Sequence, residues 1–481
     1  MQAVSQMFDI LKRPTWPFFK CLRKCHLPRV SVRRCVASGG TPSSQKKKKR
    51  AKSREHVGSP SLSWEEKLAD TVTPLWRLNY EEQLRRKQDQ QQRILLELSN
   101  QLTELSGVSC SLPGIPLLPI IPSPVKYHYR NKSTFSINKG VDGNPKTVGF
   151  YIGTGKGGNI VCVNGDHLLN IPEKHKLVAR YYEDFIRQSP LEPCIVFHDG
   201  GHWREVTVRT NAAGNTMAIV YFHPQCLTTE EICTHKDALV EYFTKGPGSV
   251  CDVDSLYFQE SVMTRCSHQQ SPYQLLHGQP HIHEELLGYK FRISADAFFQ
   301  VNRAAAESLY QTVGELSHTT GSDILLDVCS GTGAIGISMS SRVKKVIGIE
   351  IIEQAVEDAK YNAMLNKVSN CEFIVGKAEV VLPKLITSLG SVGGLTAVVN
   401  PSRAGLHYRV IKALRNHPCI HRLVYISCKP DGEAMRNFRD LCCSSEQHRK
   451  LSGKPFAPRV AVPVDMFPHT LHCELVLVFE R

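Results

Sequence analysis

Ile324-Leu325-Leu326-Asp327-Val328-Cys329-Ser330-Gly331-Thr332-Gly333-Ala334-Ile335-Gly336 is the stretch on which the reading of this chain turns. Five residues with the composition of a buried strand run into a Gly-x-Gly-x-x-Gly loop, and helix-forming sequence follows. Gly331 and Gly333 permit a tight turn and let a ligand approach bare backbone. The next apolar run, Lys345–Ile349, ends in Glu350, whose carboxylate can accept both hydroxyls of a ribose. A plain tight turn would use the same glycines. Strand, loop, helix, strand and acid in this order favour a nucleoside cofactor, and both NAD and S-adenosylmethionine satisfy that much.

Outward from the loop the same rhythm continues. Cys371–Val375, Ala397–Val399 and Leu423–Ile426 are further short apolar strands with amphipathic helical segments between them. Strand–helix alternation from about residue 291 to 481 predicts an α/β, doubly wound, Rossmann-like domain. Upstream, residues 125–290 carry short apolar strands (134–137, 148–152, 160–163, 206–209, 217–222, 255–259) interrupted by helices near 175–188 and 228–244. This predicts an α+β middle domain. Residues 61–124 read as helix over 62–106, broken near Pro74, followed by a Pro-rich linker.

The chain has 481 residues and a net charge of +14. Residues 1–54 hold 15 Lys or Arg against the single acid Asp9, so the remainder is neutral overall. Any nucleic-acid surface beyond them must therefore be a local patch. Arg, Lys and Ser richness with almost no acid is the composition of a mitochondrial transit peptide, and it predicts a matrix protein. Lys46-Lys47-Lys48-Lys49-Arg50 supports a competing nuclear reading. Pro113, Pro116, Pro119, Pro122 and Pro124 break the most apolar run, which rules out a membrane span there. The 17 Cys include no Cys-x-x-Cys, so the sequence predicts neither a metal nor an iron–sulfur cluster.

Downstream motifs separate the two cofactors. Asn400-Pro401-Ser402-Arg403 follows the fourth strand and Ser427-Cys428-Lys429-Pro430 follows the fifth, at the strand ends where open α/β sheets bind ligands. With Phe298-Phe299-Gln300-Val301-Asn302, the glycine loop, Glu350 and His472-Cys473-Glu474-Leu475, these motifs resemble, in order, the RNA uracil-5-methyltransferases that form 5-methyluridine. The resemblance implies that Gln300, Glu350 and Asn400 contact S-adenosylmethionine, that Cys428 is the nucleophile and that Glu474 is the base. It also implies an RNA substrate, a tRNA T-loop uridine first and a ribosomal RNA uridine second; the protein is expected to act as a monomer. Three positions depart from the family pattern: Asn400 for Asp, Ser402 for Pro and Lys429 for Asn.

The residue types suit the chemistry. Carbon 5 of uracil is a poor nucleophile until a thiolate adds to carbon 6, and a base must afterwards remove the carbon-5 proton. Arg403 is a candidate for a phosphate or base-edge contact. Lys126, Tyr127, Tyr129, Arg130 and Lys132 interleave cations with aromatics and are expected to grip RNA. His469, His472 and Glu474 offer only three metal ligands, for a reaction that needs no metal. The competing function is a catalytically silent tRNA-binding chaperone on the same fold. Cys428 and Glu474 together argue against it, and Asn400 argues for it.

Overall fold

The structure, a computed structural model, describes residues 62–106, 114–153, 160–195, 200–262, 271–390, 393–444 and 451–481. The basic leader read from the sequence lies outside them. Residues 62–481 form one compact unit.

Helix α1 (Trp64–Val72) opens with a capping box in which Ser63 and Glu66 satisfy each other's backbone amides. It ends two residues before Pro74, which cannot continue it. Helix α2 (Tyr80–Ser106) follows. The two helices serve different cores. Leu68 and Ala69 of α1 pack against the first sheet, whereas Ile94, Leu95, Leu98 and Leu102 of α2 pack against the second.

The first sheet contains β1 (Lys132–Asn138), β2 (Thr147–Ile152), β3 (Val161–Val163), β4 (Trp203–Thr210), β5 (Thr216–Phe222), β6 (Ser255–Glu260) and β7 (Tyr273–Gly278). Their order is β3-β2-β1-β4-β5-β6-β7. Only β5 and β6 run parallel, because α4 (Thr229–Thr244) returns the chain between them, whereas α3 (Glu173–Gln188) leads from β3 to β4. Every residue of β5 is buried, which is why its sequence is an unbroken apolar run with no alternation.

A hairpin, β8 (Ile282–Leu286) and β9 (Tyr289–Ile293), and helix α5 (Arg303–Leu316) lead into the second sheet. Its elements are β10 (Ile324–Val328), α6 (Ala334–Met339), β11 (Lys345–Glu350), α7 (Glu353–Leu365), β12 (Cys371–Val375), α8 (Ala378–Leu389), β13 (Leu395–Val399), α9 (Tyr408–Asn416), β14 (Ile420–Ser427), α10 (Glu433–Cys442), β15 (Ala457–Val464) and β16 (Glu474–Glu480). The order is β12-β11-β10-β13-β14-β16-β15, with β12 to β14 parallel and β16 and β15 antiparallel. The order reverses between β10 and β13, so the crevice lies outside their carboxyl ends. That is where Ser330, Glu350, Asn400 and Cys428 stand.

Candidate active site

The carboxyl ends of β10, β11, β13 and β14 open on a cleft of about 1900 Å³. Gln300, Gly331, Glu350, Asn400, Arg403, Cys428 and Glu474 all line it, although 174 positions separate the first from the last. Of the two glycines singled out from the sequence, Gly331 lines the cleft and Gly333 does not.

The two glycines differ for a physical reason. Gly331 has φ +54°, and a Cβ there would meet nothing within 4 Å, so its face is bare backbone toward open space. Gly333 has φ +80°, and a Cβ would collide with the Phe373 ring at 2.8 Å. Its task is to let the start of α6 pack against β12.

The Gly331 N–H donates to Glu350 Oε2 at 3.0 Å, while Glu350 Oε1 accepts from the Ile351 and Ile352 amides at 2.7 and 3.0 Å. Three amides thus fix the carboxylate, and Oε2, which accepts only one of them, keeps acceptor capacity for a hydroxyl. Behind the loop, burial pushes the Asp327 carboxyl up to about 7, opposed by the Gly336 N–H that donates to it at 2.9 Å. The buried Ser330 Oγ has no partner among the described residues.

Gln300 is buried at the approach to α5. Asn131 Nδ2 donates to its carbonyl at 2.9 Å, and its side chain bonds to Tyr310. Asn302 caps α5 through the Ala305 amide at 3.1 Å and donates to Ser123 Oγ and the Met466 carbonyl. Phe299 is buried, whereas Phe298 stands 65% exposed on the cleft wall. The Asn400 N–H donates to the Val328 carbonyl at 3.2 Å, which ties the loop after β13 to the end of β10.

Strand register places the reactive pair. β14 and β16 are antiparallel, with Ser427 opposite Leu475. Cys428 is the residue after the end of β14 and Glu474 the first residue of β16, so the two stand at the same end of this strand pair, and the Glu474 charge acts on the thiol. Cys428 is half-buried; burial pushes its thiol up, the Glu474 charge adds to this, and the Arg403 side chain bonded to it pulls it down. Glu474 is buried, its carboxyl pushed up to about 7 by burial, again opposed by Arg403. Its Oε2 has no hydrogen-bond partner among the described residues. A thiol, a carboxyl ionising near neutrality and a guanidinium thus meet at one point. Such a set can form a thiolate adduct and move a proton at neutral pH.

The basic row at 126–132 is divided. Arg130 and Lys132 line the cleft, whereas Tyr129 is buried with its hydroxyl donating to the Pro468 carbonyl at 3.0 Å. Lys126 lies 4.5 Å over the Tyr80 ring, and Tyr127 packs against His469. Both ring nitrogens of His469 are engaged, by Gln83 at 3.2 Å and the Lys126 carbonyl at 3.0 Å. No group of three or more His, Cys, Asp or Glu among the described residues could hold a metal ion. Tyr310, His472 and Asp296 also line the cleft, and sequence reasoning passed over Tyr310 and Asp296 because no motif marks them.

A family model, tRNA (Uracil-5-)-methyltransferase, matches residues 258–481. The chain is 70% identical over 422 residues to the tRNA (uracil-5-)-methyltransferase homolog B of Danio rerio, spanning 87% of this chain and 88% of that one. This chain belongs to the tRNA (uracil-5-)-methyltransferase family. Within this family of methyltransferases it is also 58% identical to homolog B of Homo sapiens, over 91% of this chain and 88% of the other. Homolog A of Mus musculus is 42% identical, over 90% and 71%. The fold matches the Pyrococcus abyssi tRNA (uracil-54, C5)-methyltransferase solved with S-adenosyl-L-homocysteine, at a TM-score of 0.58 and 23% identity over 90% of this chain and 91% of that one. The architecture is that of S-adenosylmethionine-dependent, Rossmann-like methyltransferases.

Proposed function

We propose that this methyltransferase methylates carbon 5 of a tRNA uridine, with Cys428 as nucleophile and Glu474 as proton acceptor. The observation that carries the reading is the meeting of Cys428, Glu474 and Arg403 in the cleft that Gly331 and Glu350 also line. S-adenosylmethionine, when bound, supplies an electrophilic methyl group on a sulfonium. The residues fit it: Gly331 offers open backbone, and Glu350 offers a fixed carboxylate for ribose hydroxyls. Gln300 and Asn400 line the same cleft.

The chain's own steps follow. Cys428 Sγ adds to carbon 6 of the uracil ring, and the ring's electron pair moves to make carbon 5 nucleophilic. Once carbon 5 has gained the methyl group, Glu474 accepts the proton it still carries. The electrons of that C–H bond restore the ring double bond as the carbon 6–sulfur bond breaks, which frees the thiolate. The target base must leave its stack to reach this point, and loop uridines are cheap to unstack. A T-loop uridine of tRNA is the first target and a ribosomal RNA loop uridine the second; the Pyrococcus abyssi enzyme of the same fold is named for uracil-54 of tRNA.

Labelled methyl transfer to an unmodified tRNA transcript tests the assignment. Wild type transfers label, and Cys428→Ala transfers none; a Cys428→Ala variant that methylates would end the nucleophile assignment. The composition of residues 1–54 supports a mitochondrial matrix location. N-terminal sequencing of the protein from cells should then find the leader trimmed, and an intact Met1 would contradict it.

A further inference from the structure

In the first sheet, β1 and β4 set two cations face to face. In their antiparallel register Lys132 is the partner of Arg209. Directly opposite residues project from the same face of a sheet, and like charges there repel. Arg130, two positions before Lys132, lines the cleft with it, and its charge acts on the Lys132 amine.

Little neutralises this group. Asp296 is the carboxylate that faces both Lys132 and Arg209, with Asp358 farther along the Arg209 side. The Arg209 guanidinium donates to the Ala297 carbonyl, but its buried Nε has no partner among the described residues. Lys132 has no ion pair within 4.0 Å among them. Tyr221 and Tyr273 lie beside Arg209, and their phenols are raised by burial and carry no charge at neutral pH. His175 on α3 packs behind, bonded to Ser133 Oγ at 2.9 Å and Thr210 Oγ1 at 3.0 Å. Burial pushes it down to about 3, so it too is uncharged. Three cations therefore stand against one near carboxylate, Arg130 and Lys132 lining the cleft with Arg209 buried behind them, an arrangement that an anion would relieve.

We propose that Lys132, backed by Arg130 and Arg209, binds a backbone phosphodiester of the RNA strand whose uridine enters the cleft. This rests on the reading of an RNA substrate. A phosphate turns the repulsion into charge-assisted contacts. It also changes the proton count. Burial, with Arg209 and Arg130 adding to it and Asp296 opposing, holds the free Lys132 amine down to about 7. A bound phosphate favours the ammonium and raises that value. Contact is therefore strongest below pH 7 and weakens as pH climbs above it.

The experiment measures affinity of the full chain for an unmodified tRNA transcript against salt concentration, at pH 6.0 and pH 8.5. Wild type, Lys132→Gln, Lys132→Arg and Lys412→Gln are compared, the last altering an exposed lysine outside the cleft. One single-strand phosphate contact contributes about 0.7 to the log–log salt slope, roughly fivefold in affinity at about 0.1 M salt. Lys132→Gln should lose that slope and that affinity at pH 6.0, and less of both at pH 8.5. Lys132→Arg should keep them at both pH values, and Lys412→Gln should match wild type. A Lys132→Gln slope equal to wild type, or an equal loss in Lys412→Gln, overturns the phosphate site while leaving the RNA reading intact. Failure of wild type itself to bind the transcript overturns the RNA reading and the site with it.

Discussion

Arg403→Gln isolates the electrostatic support of the nucleophile. Arg403 is bonded to the Cys428 thiol and opposes the upward push that burial and Glu474 exert on it. Two unit charges about 4 Å apart interact by about 4 kcal/mol at an effective dielectric of 20. Arg403 is exposed and Cys428 half-exposed, so solvent screening reduces this to about 1 to 2 kcal/mol. That corresponds to roughly tenfold less thiolate at neutral pH. Glu474 loses the same opposing charge, so its carboxyl also rises from about 7. The assay is single-turnover methyl transfer to saturating tRNA between pH 6 and 10. The variant's rising limb should move up by about one pH unit, with its rate approaching wild type at the alkaline end. A profile lowered uniformly, with the limb unmoved, would refute the argument and return Arg403 to a contact with RNA.

Two further outcomes follow from the same geometry. Glu474→Gln removes the base and also the charge that raises the Cys428 thiol. Addition at pH 7 should be undiminished while turnover falls at least about 100-fold, so a covalent protein–RNA species accumulates on a denaturing gel with ordinary uridine; normal turnover would send the search for the base elsewhere. Lys87 on α2 and Asp465 are both fully buried and bonded at 2.5 Å, in the loop between β15 and β16 that leads to Glu474. Lys87→Met strands that carboxylate at a cost of about 3 to 5 kcal/mol, so amide hydrogen exchange over residues 465–469 should accelerate, and unchanged protection would show that α2 does not hold the loop.

The parallel strands were legible because burial on both faces makes each a short apolar run, and the glycine loop marked where the sheet turns toward a ligand. β15 escaped the sequence reading because Pro458 and Pro463 sit within it. At a sheet edge, a proline that lacks an N–H costs no ladder bond, so the strand survives where the rule predicts none. The β8–β9 hairpin was hidden by His283, Glu284 and Glu285, which make its first strand read as polar surface. Cys428 and Glu474 were found through motifs, but their adjacency is a matter of β14–β16 register that no local pattern encodes. The same holds for Lys132 and Arg209, partners across two strands and 77 positions apart. Arg403 was noticed as a cation and a candidate for RNA contact; its bond to the Cys428 thiol is a further partner that no local pattern shows.

The central claim is a covalent bond between Cys428 Sγ and carbon 6 of the target uracil, and RNA bearing 5-fluorouridine at that position tests it most directly. Fluorine cannot leave as a cation, so Glu474 finds no proton to remove and elimination stops after methylation. Peptide mapping by mass spectrometry of wild-type protein incubated with this RNA and S-adenosylmethionine should show one methylated fluorouridine adduct, on Cys428, and none with Cys428→Ala. An adduct on any other cysteine, or its formation by Cys428→Ala, would contradict the account.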